Sequence, residues 1–269
     1  MGNAAPEVLR YESIKEFWNY RELFYFFIWR DIKVKYKQTV MGALWAIIQP
    51  FCSMIVFTIF FGNFAKMPSD GVPYPVFSYC ALVPWIYFSS SLGNCSNCLI
   101  GNSNLLTKIY FPRIVIPISA TLSGIVDYFI ASIILLGLIM YYHIPISWSL
   151  LLWPVFVIPL MLFALGLGSI FASLNVKYRD IKYTIPFGIQ TLLFITPIIY
   201  PMSILPEKYR GIVALNPLTG IIEAYRAIVL PNKSLDYRSM LYSFIVISVI
   251  LVIGLLFFKK TEKNFADIV

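Results

Sequence analysis

Long apolar stretches alternate along the chain with short charged ones. No Asp, Glu, Lys or Arg occurs between Lys37 and Lys66, Asp70 and Lys108, Asp127 and Lys177, Lys182 and Glu207, or Arg238 and Lys259. A membrane-crossing helix needs about 20 such residues. The run from 128 to 176 is too long for one helix and breaks at His143-Ile144-Pro145. The pattern predicts an all-α integral membrane protein with six transmembrane helices, at about 42–62, 75–95, 115–141, 150–173, 184–201 and 239–258. Between the fifth and sixth, Gly211 to Ile222 is uncharged but only 12 residues long and is interrupted by Asn216-Pro217. That suits short re-entrant or interfacial helices on the outer side.

Ahead of the first span, Ile14, Phe17, Tyr20, Phe24, Phe27 and Ile28 recur three or four residues apart, with Lys15, Glu16, Asn19 and Glu22 between them. This spacing predicts an N-terminal amphipathic helix with its aromatic face in the lipid interface. The alternative is a helix packed against a partner. The charges throughout the first 36 residues speak against a signal peptide. The expected organisation is therefore a cytoplasmic segment 1–38, a transmembrane domain 39–260 and a cytoplasmic tail 261–269.

Composition agrees with the pattern. Hydrophobic residues make up 59% of the 269 and charged ones 13%, about half the roughly 25% of a soluble domain. This excludes a soluble globular enzyme. It also changes the meaning of the +8 net charge, which in a soluble domain would point to nucleic acid. With both termini inside, fifteen of the 21 Lys and Arg fall in inner segments, as the positive-inside rule requires. Nucleic acid is not an expected partner; membrane lipids are.

Little in the chain points to catalysis. No GxxxxGK[ST] phosphate loop occurs, and the single histidine, His143, excludes a multi-histidine metal site and reads as an interfacial cap. Cys95-Ser-Asn-Cys98 is a lone CxxC, a weak metal signal, and with Cys52 and Cys80 reads as incidental thiols. No catalytic, metal or cofactor site is expected in this chain. Asp127 falls near the middle of the third span. A carboxylate there needs a partner; a hydrogen bond to another helix is favoured over proton coupling.

Six local motifs are more specific. They are Arg30-Asp-Ile-Lys-Val-Lys-Tyr-Lys-Gln-Thr-Val-Met-Gly42 leading into Leu44-Trp45 and Pro50, Pro84-Trp-Ile-Tyr-Phe-Ser89, Lys108-Ile-Tyr-Phe-Pro112, Asn175-Val-Lys-Tyr-Arg-Asp180, Thr196-Pro-Ile-Ile-Tyr200 and Asn216-Pro-Leu218. In this order, over about residues 14–260, the chain resembles the ABC-2 type permeases that export polysaccharides, the O-antigen, capsule and teichoic acid group. The resemblance implies a homodimeric permease in the bacterial inner membrane that exports a lipid-linked polysaccharide. A separate ATPase subunit would hold ATP and Mg. It further implies ATPase contacts at Leu105, Lys108, Tyr110, Phe111 and Arg113, a stretch resembling the helix that docks in the ATPase, and at Tyr178, Arg179 and Asp180. Ordinary charged anchoring at helix ends is the competing explanation.

Sugar rings stack on aromatic faces, and a chain that slides needs many weak contacts. Trp45, Phe51, Phe57, Trp85, Tyr87, Phe88, Tyr183, Phe187, Phe194 and Tyr200 are therefore candidates to line a channel, though aromatic belts form at any membrane interface. Export of a drug or small amphiphile, and a membrane-embedded glycan enzyme, are the alternatives.

Overall fold

The computed structural model describes residues 20–37, 42–103, 105, 111–178, 180–231, 233–262 and 265. Ten α-helices are named here among them: α1 (Arg21–Lys37), α2 (Trp45–Phe57), α3 (Tyr74–Gly101), α4 (Val115–Leu122), α5 (Ile125–Tyr141), α6 (Val157–Lys177), α7 (Ile181–Ile195), α8 (Glu207–Ala214), α9 (Pro217–Val229) and α10 (Tyr237–Glu262). No strand occurs among the described residues. Helices satisfy their own backbone hydrogen bonds, which lipid cannot do for them.

Among the described residues, five stretches are long and apolar enough to cross a membrane: Trp45–Phe64, Tyr74–Gly101, Val115–Tyr141, Trp148–Lys177 and Tyr237–Glu262. The first continues α2 through a π-helical turn at Thr58–Phe64, and the third joins α4 to α5. The fifth expected span, 184–201, is shorter than its charge-free run. Its helix α7 has 15 residues and stops at Ile195, because Thr196, before Pro197, is extended with ψ 136° as the proline ring demands. After it, α8 and α9 meet at 104°. They have 8 and 13 residues, each too short to span alone. Asn216 sets the bend: its Oδ1 accepts from the Leu218 amide at 3.1 Å, and Pro217 opens the new helix.

The hub of the bundle is α3. Its most apolar window is 78% buried, against 22% for α10 and 11% for α2 with its π-turn, so α3 carries the packing and the other two present broad faces outward. Small residues allow the closest approaches. A Cβ on Gly168 would lie 2.5 Å from Cys95 Sγ, and one on Gly166 would lie 2.8 Å from Leu251 Cα. Helices α3, α6 and α10 therefore interlock through glycine, the usual device where lipid supplies no hydrophobic drive. Phe88 stacks on Phe163 at 5.1 Å to tie α3 to α6.

The two ends of the bundle are closed differently. At the end bearing α1, Phe27, Leu99, Phe111, Val115, Ile116, Ala172, Phe258 and Phe265 form a separate apolar cluster. At the other end a charge chain joins four segments. Arg226, fully buried, donates to Glu223 at 2.8 Å and to the Ile198 carbonyl at 2.8 Å, with its guanidinium 3.8 Å over the Phe77 ring. Lys233 bridges Glu223 to Asp70 at 2.5 and 3.0 Å. His143 closes α5 with a φ of 53°, and the following amide, Ile144, reaches back to the Ile139 carbonyl at 3.0 Å, a left-handed C-terminal cap.

Candidate translocation groove

Helix α3 places Trp85, Ser89, Gly93 and Asn97 four residues apart, hence on one face over about 18 Å of helix. Across from them stand Ile185, Pro186, Ile189, Gln190 and Leu193 of α7, with Gln49 of α2 closing the side. Together with Ser90 they line a groove of about 400 Å³. Gly93 leaves the floor open, since a Cβ there would meet nothing within 4 Å. The lining combines five uncharged polar side chains (Gln49, Ser89, Ser90, Asn97 and Gln190) with an indole and aliphatic groups. Such a surface can hydrogen-bond and stack without gripping.

Several of these groups are held in place. Ser89 and Ser90 donate to the Ile86 and Tyr87 carbonyls, each at 3.1 Å. Asn97 Nδ2 donates to the Gly93 carbonyl at 2.9 Å, while its Oδ1 accepts from the buried Asn175 at 3.1 Å. Asn175 also donates to the Ser96 carbonyl at 3.1 Å, so α6 fixes the Asn97 amide.

A smaller cavity of about 60 Å³ adjoins the groove and shares Gln49 and Ser90 with it. Its wall includes Trp45, Tyr87, Lys35 and Asp127. Asp127 lies in the first turn of α5, just past the break between α4 and α5. Its carboxylate accepts from Lys35 Nζ and from the Tyr36 hydroxyl, both on α1. Burial raises the Tyr36 hydroxyl well above its ordinary value, and the bond to Asp127 adds to this. Asp127 thus anchors α1 beside the groove.

The ten candidate aromatics separate. Trp85 lines the groove, and Trp45 and Tyr87 border the smaller cavity. Tyr87 also donates to the Thr121 carbonyl at 3.2 Å. Phe88 is wholly buried in the packing of the bundle. On α7, Tyr183, Phe187 and Phe194 are 76%, 71% and 57% exposed and flank the groove-lining face. Phe51 is exposed on α2, Phe57 packs on Phe61 at 5.8 Å, and Tyr200 donates to the Phe194 and Ile195 carbonyls.

Of the candidate coupling residues, Leu105 packs beside the α1-end cluster, and Phe111 is buried in it, 5.6 Å from the Phe27 ring. The Arg113 backbone amide donates to the Glu262 carboxylate at 3.1 Å, and its guanidinium donates to the Glu262 carbonyl. Tyr178 and Asp180 are exposed. Lys108, Tyr110 and Arg179 lie outside the described residues, as does the amphipathic pattern before Tyr20. The polar groove residues Gln49, Ser89, Ser90, Asn97 and Gln190 were not expected from sequence; a four-residue rhythm of small and polar groups inside an apolar run was the available signal.

The model of the ABC-2 type transporter family matches residues 22–230. An O-antigen export system permease from Myxococcus xanthus is 29% identical over 257 residues, covering 94% of this chain and 98% of the relative. A protein of the same description from Klebsiella pneumoniae is 30% identical over 243 residues, covering 89% and 92%. A polysialic acid transport protein from Escherichia coli is 26% identical over 246 residues, covering 87% and 91%. A match over most of the length, on a helical bundle with five long apolar spans, makes this multi-pass membrane chain a member of the ABC-2 type transporter family.

Proposed function

We propose that this chain is the permease subunit of an ATP-driven exporter that carries a lipid-linked polysaccharide outward across the bacterial inner membrane. The observation that carries the reading is the groove of α2, α3 and α7, lined by uncharged amides and hydroxyls with Trp85 at one end. Relatives named for O-antigen export and polysialic acid transport support it. Two copies facing one another would turn the groove into a channel, with Tyr183, Phe187, Phe194 and Trp45 as further stacking surfaces around it. The α1 end would be cytoplasmic, with both termini there.

The energy would come from a separate ATPase subunit holding ATP and Mg. The segment 105–113 is its proposed dock, assisted by Tyr178, Arg179 and Asp180. Phe111 and Arg113 tie this segment to α1 and α10, so a push on it reaches Lys35, Asp127 and the groove wall through contiguous packing. The outer end would be closed by α8 and α9 and opened when the groove is loaded.

The test is ATPase activity in lipid of this chain co-expressed with its ATPase, with and without lipid-linked glycan, beside a variant lacking 105–113. Stimulation by glycan that disappears in the deletion, while the complex with the intact chain is stable, supports the reading. Stimulation by small amphiphiles and not by glycan replaces the polysaccharide with a drug-like substrate. A purified chain that processes the lipid-linked sugar alone reopens an enzyme.

A further inference from the structure

We infer that the groove selects an uncharged glycan and rejects a polyanionic one. The inference rests on the export reading and specifies its substrate class. Ser89 and Ser90 spend their hydroxyl hydrogens on the Ile86 and Tyr87 carbonyls, so what they turn toward the groove is lone pairs. Asn97 is bound on both sides of its amide, by the Gly93 carbonyl and by Asn175. The two serines therefore present acceptors to the groove, while Asn97 keeps one N–H beyond its bond to the Gly93 carbonyl. Free donors come from Gln49, Gln190 and the Trp85 indole, since no hydrogen bond engages those side chains among the described residues.

A sugar hydroxyl donates and accepts, and it fits such a wall from either direction. A carboxylate only accepts. The serine lone pairs repel it, and leaving water for a groove flanked by Ile185, Ile189 and Leu193 costs it solvation that the few neutral donors of Gln49, Gln190 and Trp85 return only in part. Among the described residues no cation lines the groove, although the chain carries 21 Lys and Arg. The cation in the adjoining cavity, Lys35, is already engaged with Asp127. A polymer with an acid on every repeat would meet this barrier at each step of its passage.

The test uses the full complex of this chain with its ATPase in liposomes, and two oligosaccharides of equal length on the same lipid. One is built of neutral hexoses, the other of sialic acid residues, and the readout is stimulation of ATP hydrolysis against glycan concentration. The neutral glycan is expected to act at a concentration at least tenfold lower. Gln190→Lys, and separately Gln49→Lys, should narrow or invert that ratio by placing a cation in the groove. Equal potency of the two glycans, or preference for the acidic one, in the unaltered protein overturns the selectivity while leaving export intact. A lysine variant that assembles with the ATPase and keeps the original ratio also overturns it, because the groove then does not read charge. Stimulation by neither glycan overturns the export reading and the selectivity together.

Discussion

Replacing Arg226 with leucine should loosen the end of the molecule opposite α1. The guanidinium is fully buried, makes two 2.8 Å bonds, to Glu223 and to the Ile198 carbonyl, and lies 3.8 Å over Phe77. Removing one partner of a buried ion pair costs about 3–5 kcal/mol. Here the lower end applies, for two reasons. Lys233 still neutralises Glu223 at 2.5 Å, and the arginine's own Nε has no partner, so its burial is already imperfect. A loss of about 3 kcal/mol, at about 2–4 °C per kcal/mol for a chain of this size, is a fall in Tm of about 6–12 °C. Arg226→Lys keeps the charge but not the fork that reaches two acceptors, and should fall between. The assay is thermal unfolding in lipid nanodiscs followed by a thiol-reactive dye. Cys80, Cys95 and Cys98 are buried and Cys52 is exposed, so labelling of the buried three reports opening above a constant baseline. A shift below about 2 °C for Arg226→Leu would refute the view that this charge chain holds together the segments at the end opposite α1.

Three further outcomes follow from the same contacts. Burial alone would raise the Asp70 carboxyl, but the hydrogen bond and charge of Lys233, with the Ser203 hydroxyl, outweigh it and hold the group below its ordinary 3.8. Its stabilisation is therefore complete above about pH 4 and lost as acid protonates the folded form. The stability gap between wild type and Asp70→Asn should stay constant from neutral pH down to about 5 and close below 4 in acid unfolding. Gly254→Ala should cost about 1–3 kcal/mol by overpacking, because its Cβ would press on the Gly166 backbone, and detergent melting curves check this. Asp127→Asn should leave export insensitive to a collapsed proton gradient, as in wild type, while weakening protection of α1 in hydrogen exchange; dependence on the gradient in wild type would instead make Asp127 a proton carrier.

Much of the fold was legible because the bilayer imposes it. Charge-free runs of about 20 residues or more have few alternatives to a spanning helix, and those around α2, α3, α5, α6 and α10 became long helices. The short α7 was less legible: hydropathy runs on through Pro197 to Tyr200, but the backbone before a proline does not stay helical. The groove was partly hidden for a geometric reason. Trp85, Tyr87 and Phe88 look alike in a list of aromatics, yet residues two apart point away from one another on a helix, and Phe88 is taken up by Phe163. The partners of Asp127 were hidden by distance, since Lys35 lies 92 residues away in sequence.

The most direct test of the central claim is to find the polysaccharide in the groove during transport. A photoreactive amino acid in place of Gln190 should form adducts with the glycan when the complex is energised with ATP and loaded with lipid-linked substrate. The same probe in place of Val249, on the outward face of α10 and 51% exposed, should label lipid and not glycan. Glycan adducts at 190 that require ATP are the predicted result; adducts absent at 190, or equally abundant at 249, would contradict a pathway between α2, α3 and α7.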